Sequence, residues 1–511
     1  MKEKKGDTLS SSAIKTGLGN LGSRITGLFR DILFASYFGT SGSMSAFLTA
    51  LTLPNLSRRI FGEGALTASF IPLLSDKLKN EEDTWKFASL ILSITVVLTT
   101  ILALAGITIC LLTTYFVSPD KKLLFKLCAW TLPYMVFICL SALISGILNL
   151  LKSFSLPALS SMIFNIALII SCLLTSTTNM SIETKITFLT VAVLVSGFLQ
   201  TSILYRALKQ HGAKLQWNPD FKSNDWLKLK KLFLPGILGA SVAQLSILSD
   251  RIIAIGIGDH AVSALYYSER LTYFPVGIFG VALGVACLPY MSKAVSQGND
   301  QDLMHAFSFG LRQTMFLTVP CTFIFYHYHT EIMTIIFKRG AFDNDSLKQS
   351  ALALFYYLPG IPAFAATKII LPLYFAKKNT KTPVKIALFC LSLNLILGLS
   401  LIPWLQHASL ALATTVACYA NIILLLYHCG HKDMGHTLST TFAPLTRVIV
   451  CMFISCVLIN QFNWLEVQQA SLYNLAILIC KIGCCAILFI LLHTLSGGRE
   501  LHELLKRKIH T

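Results

Sequence analysis

The sequence predicts an all-α membrane protein that crosses the bilayer many times. Of its 511 residues, 54% are hydrophobic and only 13% are charged, a composition outside the range of soluble domains. Apolar stretches of about 20 residues recur along the whole chain, and one long segment is repeated. We therefore predict about fourteen transmembrane helices, arranged as two pseudo-symmetric six-helix bundles followed by two C-terminal helices.

Each predicted span is long enough to cross a hydrocarbon core about 30 Å thick. The predicted spans are residues 14–37, 43–62, 87–117, 123–151, 157–176, 185–208, 232–257, 261–291, 308–329, 350–376, 384–404, 408–428, 442–461 and 472–495. The predicted parts are an N-terminal bundle at 1–208, a basic cytoplasmic connector at 209–231, a C-terminal bundle at 232–430, and the two additional helices with a cytoplasmic tail at 431–511.

Lysine and arginine are distributed unevenly between the predicted loops. With the N-terminus inside, roughly 27 of them lie in cytoplasmic termini and loops and roughly 6 outside, so we expect residues 1–12 and 497–511 to be cytoplasmic. Most of the net charge of +18 is then explained by topology. Nucleic-acid binding would need a basic soluble face, which the sequence does not contain. No cleavage site follows the first span, which is therefore expected to be retained.

One internal repeat indicates the two-bundle arrangement. The segment "SAFLTALTLPNLSRRIFGEGALTASFIPLLS" from Ser45 resembles "SALYYSERLTYFPVGIFGVALGVACLPYMS" from Ser263. Both copies fall on the second span of their predicted bundle, and both contain a proline near charged residues, Pro54 and Pro275. Parallel repeats of this kind occur in transporters whose substrate site lies between the halves.

The sequence contains no sign of an enzyme. It has no Walker loop, nucleophile elbow or HExxH motif, so we expect no catalysis and no cofactor, and energy from an ion gradient or the membrane potential. Nearly all of the 14 cysteines lie in predicted spans, where cysteine behaves as a small apolar residue. His428, His431 and His436 lie in a predicted loop without a second ligand pair, which favours a solvated loop over a metal site.

Eleven ionisable residues within or beside the predicted spans are candidates for a functional site. They are Arg24, Arg30, Asp31, Arg58, Arg59, Glu63, Asp250, Arg251, Glu269, Arg270 and Lys368. Arg24 and Asp31 share one helix face, and Arg30 points about 120° away. Arg59 and Glu63 stand four residues apart and can pair. The plainer alternative is that all these groups anchor helices at the interface or lock them together as ion pairs.

The balance of charge favours a ligand site over that alternative. Pairing every acid with a base would leave excess positive charge in the membrane, and an unpaired buried cation is expensive. A bound anion would supply the missing charge, and the planar fork of arginine fits a phosphate or diphosphate.

Several motifs resemble the MurJ (MviN) lipid II flippase family, which belongs to the superfamily of MATE drug exporters and O-antigen flippases. They are "SRITGLFRDILFASYFG", "LPNLSRRIFGEGALTASFIPLL", "YYSERLTYFPVGIFGVALGVACLPYMS", "IFKRGAFD" and "YFAKKNTKTPV". The resemblance implies alternating-access transport of an undecaprenyl-diphosphate-linked peptidoglycan precursor to the outer leaflet of the bacterial inner membrane. It also implies a groove for the lipid tail along the last two helices, and we expect a monomer in contact with membrane lipids.

The resemblance assigns roles to individual residues. Arg24, Arg30, Arg58, Arg59 and Arg270 match the cavity arginines of the family, and Asp31, Glu63 and Glu269 match its accompanying acids. We expect Arg24, Arg30 and Arg270 to converge on the diphosphate, and Glu63 and Glu269 to hold the guanidiniums apart when the site is empty.

Asp250, Arg251 and Lys368 are secondary candidates. Where the family usually has Asp before Thr-Lys-Thr-Pro, this chain has Asn379, so Asp250 remains as a possible cation ligand. A different exporter of the same superfamily, for O-antigen or drugs, and a non-transporting scaffold of cell-wall synthesis remain as alternatives.

Overall fold

The regular structure is entirely helical within the residues that the computed structural model describes, which are 9–62, 65–429, 434–461, 469–498 and 500–505. The chain divides into two compact units, Met1–Arg251 and Ile252–Thr511. The first unit contains α1 Leu9–Phe38, α2 Gly42–Ser57, α3 Ala65–Lys77, α4 Glu81–Phe116, α5 Pro119–Thr131, α6 Tyr134–Leu150, α7 Ser155–Ser176, α8 Ile182–Gln210 and most of α9 Asn224–Ile257. The second contains α10 Ala261–Pro275, α11 Val281–Ser296, α12 Asp300–Phe337, α13 Asn344–Tyr357, α14 Ile361–Ala376, α15 Lys381–Ser400, α16 Ile402–Leu405, α17 Ala408–His428, α18 Met434–Asn460, α19 Leu472–Leu495 and α20 Glu500–Leu505.

The prediction of a multi-span helical membrane protein is confirmed. Among the described residues, eight helical segments are long and apolar enough to cross a membrane, or nine if the bent pair α5–α6 is one span. The other predicted spans coincide with α1, α2–α3, α9, α12 and α18. Charged residues or breaks interrupt most of these helices, which lowers their hydropathy and shortens their continuous apolar stretches.

Both copies of the sequence repeat contain the same backbone irregularity. A five-residue π-helix, Arg58–Gly62, joins α2 to the segment before α3, and a second one, Val276–Gly280, joins α10 to α11. Each ends in the repeated triplet Ile-Phe-Gly. An extra residue in a helical turn changes the direction of the side chains beyond it, and such segments are frequent at functional sites.

Polar residues begin several of the helices. The side chains of Ser41, Asn80 and Ser181 accept hydrogen bonds from the backbone N–H groups of Met44, Glu82 and Thr184. These bonds satisfy donors that the first helical turn leaves without an intrahelical partner.

The predicted connector, residues 209–231, contains the end of α8, an extended stretch and the start of α9. The extended stretch lies against α4, where the N–H groups of Gln216 and Asn218 donate to the hydroxyls of Ser89 and Ser93 at 3.0 and 3.1 Å. Lys77, at the end of α3, pairs with Asp225 in the first turn of α9 at 2.9 Å. The connector is therefore held to the first unit by polar contacts.

In the second unit, the second π-helix and α11 pack very closely on α14. A Cβ atom added to Gly280 would lie 2.9 Å from the Cα of Ala365, and one added to Gly284 would overlap the carbonyl oxygen of Lys368. Small residues allow membrane helices to approach in this way. The long helix α12 packs against α18 and α19 and is kinked at Tyr328, whose φ and ψ are −105° and 19°.

Candidate substrate site

Arg30 and Asp31 form a buried polar cluster between α1 and α7. The Nε and Nη2 groups of Arg30 donate to Oδ1 of Asp31 at 3.0 and 2.7 Å, and Nη1 donates to Oδ1 of Asn165 at 2.8 Å. The ring centroids of Phe34 and Phe164 lie 5.5 and 5.6 Å from the guanidinium carbon of Arg30. Arg30 is 7% exposed and Asp31 2%. Polar side chains therefore hydrogen-bond the edges of the guanidinium, and two aromatic rings lie close to it.

Helical-wheel geometry does not anticipate this pairing. Successive residues of a helix point about 100° apart, so Arg30 and Asp31 leave the helix in different directions. The long arginine side chain bends back to its neighbour, and the structure therefore joins two residues that the wheel separates. Arg24, nearly two turns earlier on α1, is exposed.

The two arginines of the second span lie in the first π-helix. Arg59 is exposed, and its Nη1 donates to Oε1 of Gln244 on α9 at 3.2 Å. Arg58 is half-buried. Glu63, the predicted partner of Arg59, lies outside the described residues. The sequence does not identify Gln244 as the partner of Arg59, because a glutamine in a long helix carries no pattern that indicates which residue it bonds.

In α10, Glu269 and Arg270 each contact a tyrosine. The guanidinium carbon of Arg270 lies 4.6 Å from the ring centroid of Tyr266, one turn earlier, and its Nη2 donates to the hydroxyl of that tyrosine at 2.8 Å. The hydroxyl of Tyr357 on α13 donates to Oε1 of Glu269 at 3.3 Å. Arg270 is exposed and Glu269 is half-buried.

The secondary candidates occupy three different environments. Arg251 is 7% exposed, Asp250 is half-buried, and Lys368 on α14 is exposed. Asn379 accepts a hydrogen bond from the N–H of Thr382 at 3.2 Å and so serves the start of α15. Within the described ranges, no group of three or more His, Cys, Asp or Glu side chains is placed to hold a metal ion. The cation role of Asp250 stays a prediction.

A second charged pair, which sequence analysis missed, joins α12 to α19. Nζ of Lys481 lies 2.9 Å from Oε1 of Glu331, and the two side chains are 6% and 26% exposed. The ring centroid of Tyr328, at the kink of α12, lies 5.9 Å from the same ammonium. A signal was available, since Lys481 interrupts an otherwise apolar span, but nothing in the sequence indicated a partner 150 residues away.

Beyond the end of α19 the chain turns back onto its own helix. Nε2 of the buried His493 lies 2.9 Å from Oε2 of Glu500, and Glu503 pairs with Arg312 of α12. Burial alone raises the pKa of Glu500, but hydrogen bonds from its own backbone and from His493 outweigh that effect and leave the pKa below its usual value. The glycine between them, Gly497, has a φ of +82°, which lets the turn form.

Among the described residues, the cysteines and His428 belong to no group that could hold a metal ion. All fourteen cysteines carry free thiols, as the sequence predicts for membrane-embedded cysteine. His428 bonds the carbonyl oxygen of Leu424 through Nδ1 at 2.9 Å. His431 lies outside the described residues, and His436 is in α18.

The fold defines the class of this protein. A MATE-family multidrug transporter of the MOP superfamily, solved in an inward-facing conformation, superposes with a TM-score of 0.64 at 12% identity, covering 84% of this chain and 99% of the transporter. A structure described as "Lipid II flippase MurJ, inward closed conformation" superposes with a TM-score of 0.79 at 25% identity, covering 96% of this chain and all of that protein. The chain is a MATE-like, multi-span membrane transporter.

Sequence relatives identify the family within this class. The family described as "Lipid II flippase MurJ" matches residues 34–479. A "Probable lipid II flippase MurJ" of Buchnera aphidicola subsp. Baizongia pistaciae is 34% identical over 414 residues, which cover 79% of this chain and 80% of the relative. The "Lipid II flippase MurJ" of Burkholderia cenocepacia is 29% identical, covering 92% and 93%.

This chain belongs to the MurJ lipid II flippase family. It is a transporter of the peptidoglycan pathway and not an enzyme, as the sequence predicts. The family lies in the bacterial inner membrane. The matched segment contains every candidate from Arg58 onward, whereas Arg24, Arg30 and Asp31 precede it.

Proposed function

We propose that the chain carries lipid II across the membrane by alternating access, and that arginines in a central cavity bind the diphosphate of the substrate. The substrate follows from the family. The diphosphate is the part of the lipid that most resists entering hydrocarbon, because it is charged, and arginine supplies the donors that match it.

One observation carries this proposal: basic side chains are exposed on helices of a membrane protein. Arg24, Arg59, Arg270 and Lys368 are all exposed. A charged side chain facing the bilayer centre costs about 2.5–3.5 kcal/mol on insertion scales, so such residues normally face a water-filled cavity or one another. Asp31 is 2% exposed and Glu269 is half-buried, so the more accessible charge of these sites is positive.

The broken helices support the alternating-access part of the proposal. Arg58 and Arg59 lie within one π-helix, and Arg270 lies six residues before the other. A helix that is interrupted near its charged residues can change direction there without disturbing the packing of its ends. Glu63 and Glu269 would hold the guanidiniums apart when the site is empty.

The same proposal includes the finer topology. Fourteen spans would form two six-helix bundles at 1–208 and 232–430, joined by the connector at 209–231. The two remaining spans at 431–511 would form a groove for the lipid tail. Both termini would be cytoplasmic and the protein monomeric.

Two other functions make different demands on the charged residues. A drug exporter of the superfamily would take cationic substrates, for which an accessible basic surface is unfavourable. A scaffold of wall synthesis would need no exposed arginines inside the membrane. The charge pattern therefore favours an anionic substrate.

Translocation of lipid II in proteoliposomes tests the proposal. We expect Arg24→Ala and Arg270→Ala to abolish transport at matched protein levels. Arg24→Lys should rescue only in part, since lysine keeps the charge but loses the planar fork. Lys293→Ala, which removes an exposed cation near the end of α11, is the control and should transport normally.

Wild-type transport by both alanine variants would refute diphosphate binding by these arginines. Transport of a cationic dye without transport of lipid II would instead favour the exporter. An imposed membrane potential should change the rate, because one unit charge moved across the membrane is worth about 2.3 kcal/mol per 100 mV.

A further inference from the structure

Asn165 on α7 is bonded to three groups of α1. Its Nδ2 donates to the carbonyl oxygen of Ser23 at 3.0 Å and to Oγ1 of Thr26 at 3.1 Å, and its Oδ1 accepts from Nη1 of Arg30 at 2.8 Å. The residue is 5% exposed. An asparagine with its donors and its acceptor all engaged has one defined orientation.

The partners themselves determine that orientation. A guanidinium N–H only donates and a backbone carbonyl only accepts, so the amide oxygen must face Arg30 and the amide nitrogen must face Ser23. The hydroxyl of Thr26 in turn donates to the carbonyl oxygen of Gly22 at 2.9 Å. Hydrogen bonds from Asn165 to Ser23 and Thr26 of α1 therefore fix the amide, and the amide in turn fixes the position of the Arg30 guanidinium.

The chemistry of the two groups at the edges of Arg30 differs. Asp31 offsets the positive charge, whereas Asn165 fixes the guanidinium without changing the charge. A second carboxylate at the position of Asn165 would leave a net negative cluster and repel an anionic substrate. A neutral acceptor is the choice that orients an arginine and preserves its attraction for phosphate.

We propose that Asn165 is a positioning residue of the substrate site, which holds the Arg30 guanidinium in the orientation needed for the substrate diphosphate and adds no negative charge beside it. This inference rests on the proposed role of Arg30 in transport. Asn165 itself acts through Arg30.

The decisive variant is Asn165→Asp, assayed for lipid II translocation between about pH 4.5 and 8 with the pH equal on both sides of the proteoliposome. The ionised aspartate makes the cluster of Arg30 and Asp31 net negative, so transport should fall about tenfold or more at pH 8. Protonation at low pH restores a neutral side chain with a carbonyl acceptor, so transport relative to wild type should recover as the pH falls. A purely structural role predicts instead that the melting temperature of the variant falls at pH 8 and recovers together with transport.

Two further variants keep the test independent of folding. Ser161→Ala, at an exposed position of the same helix, removes only a hydroxyl bonded to the carbonyl oxygen of Ala158, so it should transport like wild type. Asn165→Ala should raise the lipid II concentration needed for half-maximal rate more than it lowers the maximal rate, because a loosened guanidinium weakens binding first. Rates are normalised to monodisperse protein.

The outcomes separate this inference from the function on which it rests. Wild-type transport by Arg30→Ala would overturn the role of Arg30 and the inference with it. Loss of transport in Arg30→Ala together with wild-type, pH-independent transport by Asn165→Asp would overturn the inference alone. A recovery of Asn165→Asp at low pH, with normal transport by Ser161→Ala, supports it.

Discussion

The two units contain the same break in the same repeated segment, but the side chains around it differ. In the first unit the π-helix holds Arg58 and Arg59, whereas in the second it holds Val276 and Gly277. The charged pair of the second unit, Glu269 and Arg270, comes earlier, in the helix before the break. The repeat therefore preserves the backbone irregularity and not the position of the charge, so the break does not depend on the arginines.

The helix crossings next to the breaks also differ. In the first unit, a Cβ added to Gly146 of α6 would meet side-chain atoms of Ile71 and Thr67 at 3.1 and 3.3 Å. In the second unit, Gly280 and Gly284 approach the backbone of α14 itself. Side chains can shift and a helix backbone cannot, so the second crossing is the more rigid of the two.

The largest expected effect comes from breaking an ion pair, and it should distinguish the Glu331–Lys481 pair of the second unit from the Arg30–Asp31 pair of the first. Glu331→Gln leaves the buried ammonium of Lys481 without its carboxylate and should destabilise the protein by about 3 kcal/mol. The double variant Glu331→Gln with Lys481→Met removes both charges and should recover most of that stability and transport normally. Thermal unfolding in detergent and translocation in proteoliposomes measure the two effects.

The matching pair in the first unit should behave differently. Arg30→Met with Asp31→Asn should also fold, but it should not transport, since Arg30 serves the substrate. Equal transport by the two double variants would contradict this distinction between a structural pair and a functional one.

The next effect concerns the helix crossings. Gly284→Ala places a methyl group against the carbonyl oxygen of Lys368 and should cost about 1–3 kcal/mol, the usual range for overpacking. Gly146→Ala should cost less, because Ile71 and Thr67 can adjust. Melting temperatures of the two variants check the order, and a more damaging Gly146→Ala would reverse our reading of the two crossings.

A smaller effect should distinguish the arginines at the two breaks. Arg270→Lys loses the planar contact with Tyr266 as well as bidentate hydrogen bonding, so its transport should fall about tenfold, or about 1–2 kcal/mol. Arg59→Lys retains the contact of a cation with Gln244 and should lose less. Tyr266→Phe keeps the ring and removes only the hydroxyl, and it should remain active. Initial rates at saturating lipid II provide the comparison.

The smallest expected effect is a pH dependence of the melting temperature that comes from Glu500, in the C-terminal turn after α19. The pKa of Glu500 is lowered in the folded protein, so its contribution to stability is present above its ordinary value of 4.5 and is lost as the pH falls toward the lowered value. The melting temperature of the wild type should therefore decrease more between pH 6 and pH 4 than that of Glu500→Gln.

Glu82 is the control for this measurement. It pairs with Lys86 on the exposed start of α4 in the first unit, and the hydrogen bond from Lys86 lowers its pKa. Because that pair is exposed and an exposed pair adds little stability, Glu82→Gln should change the pH profile of melting less than Glu500→Gln does. Identical profiles for Glu500→Gln and wild type would show that the C-terminal turn adds no stability.

Much of the fold could be predicted from the sequence, because hydropathy and helical length are local properties. The repeat was recognisable from Ile-Phe-Gly, but the π-helical breaks within it were not, because the hydrogen-bond register of a helix is not written in its hydropathy. The candidate arginines were recognisable since charge stands out in an apolar span. Their partners were not, because Asn165, Gln244 and Tyr357 are ordinary polar residues whose importance arises only from packing.

The π-helices have a consequence for motion. Each contains one residue more than an α-helical turn requires, and that surplus can move along a helix one position at a time, since every step exchanges one hydrogen bond for another. Each such step turns the residue that the surplus passes by about 100° and leaves the helix on either side in place. A span built in this way can rotate its charged side chains about its own axis while both ends stay anchored and the backbone stays bonded.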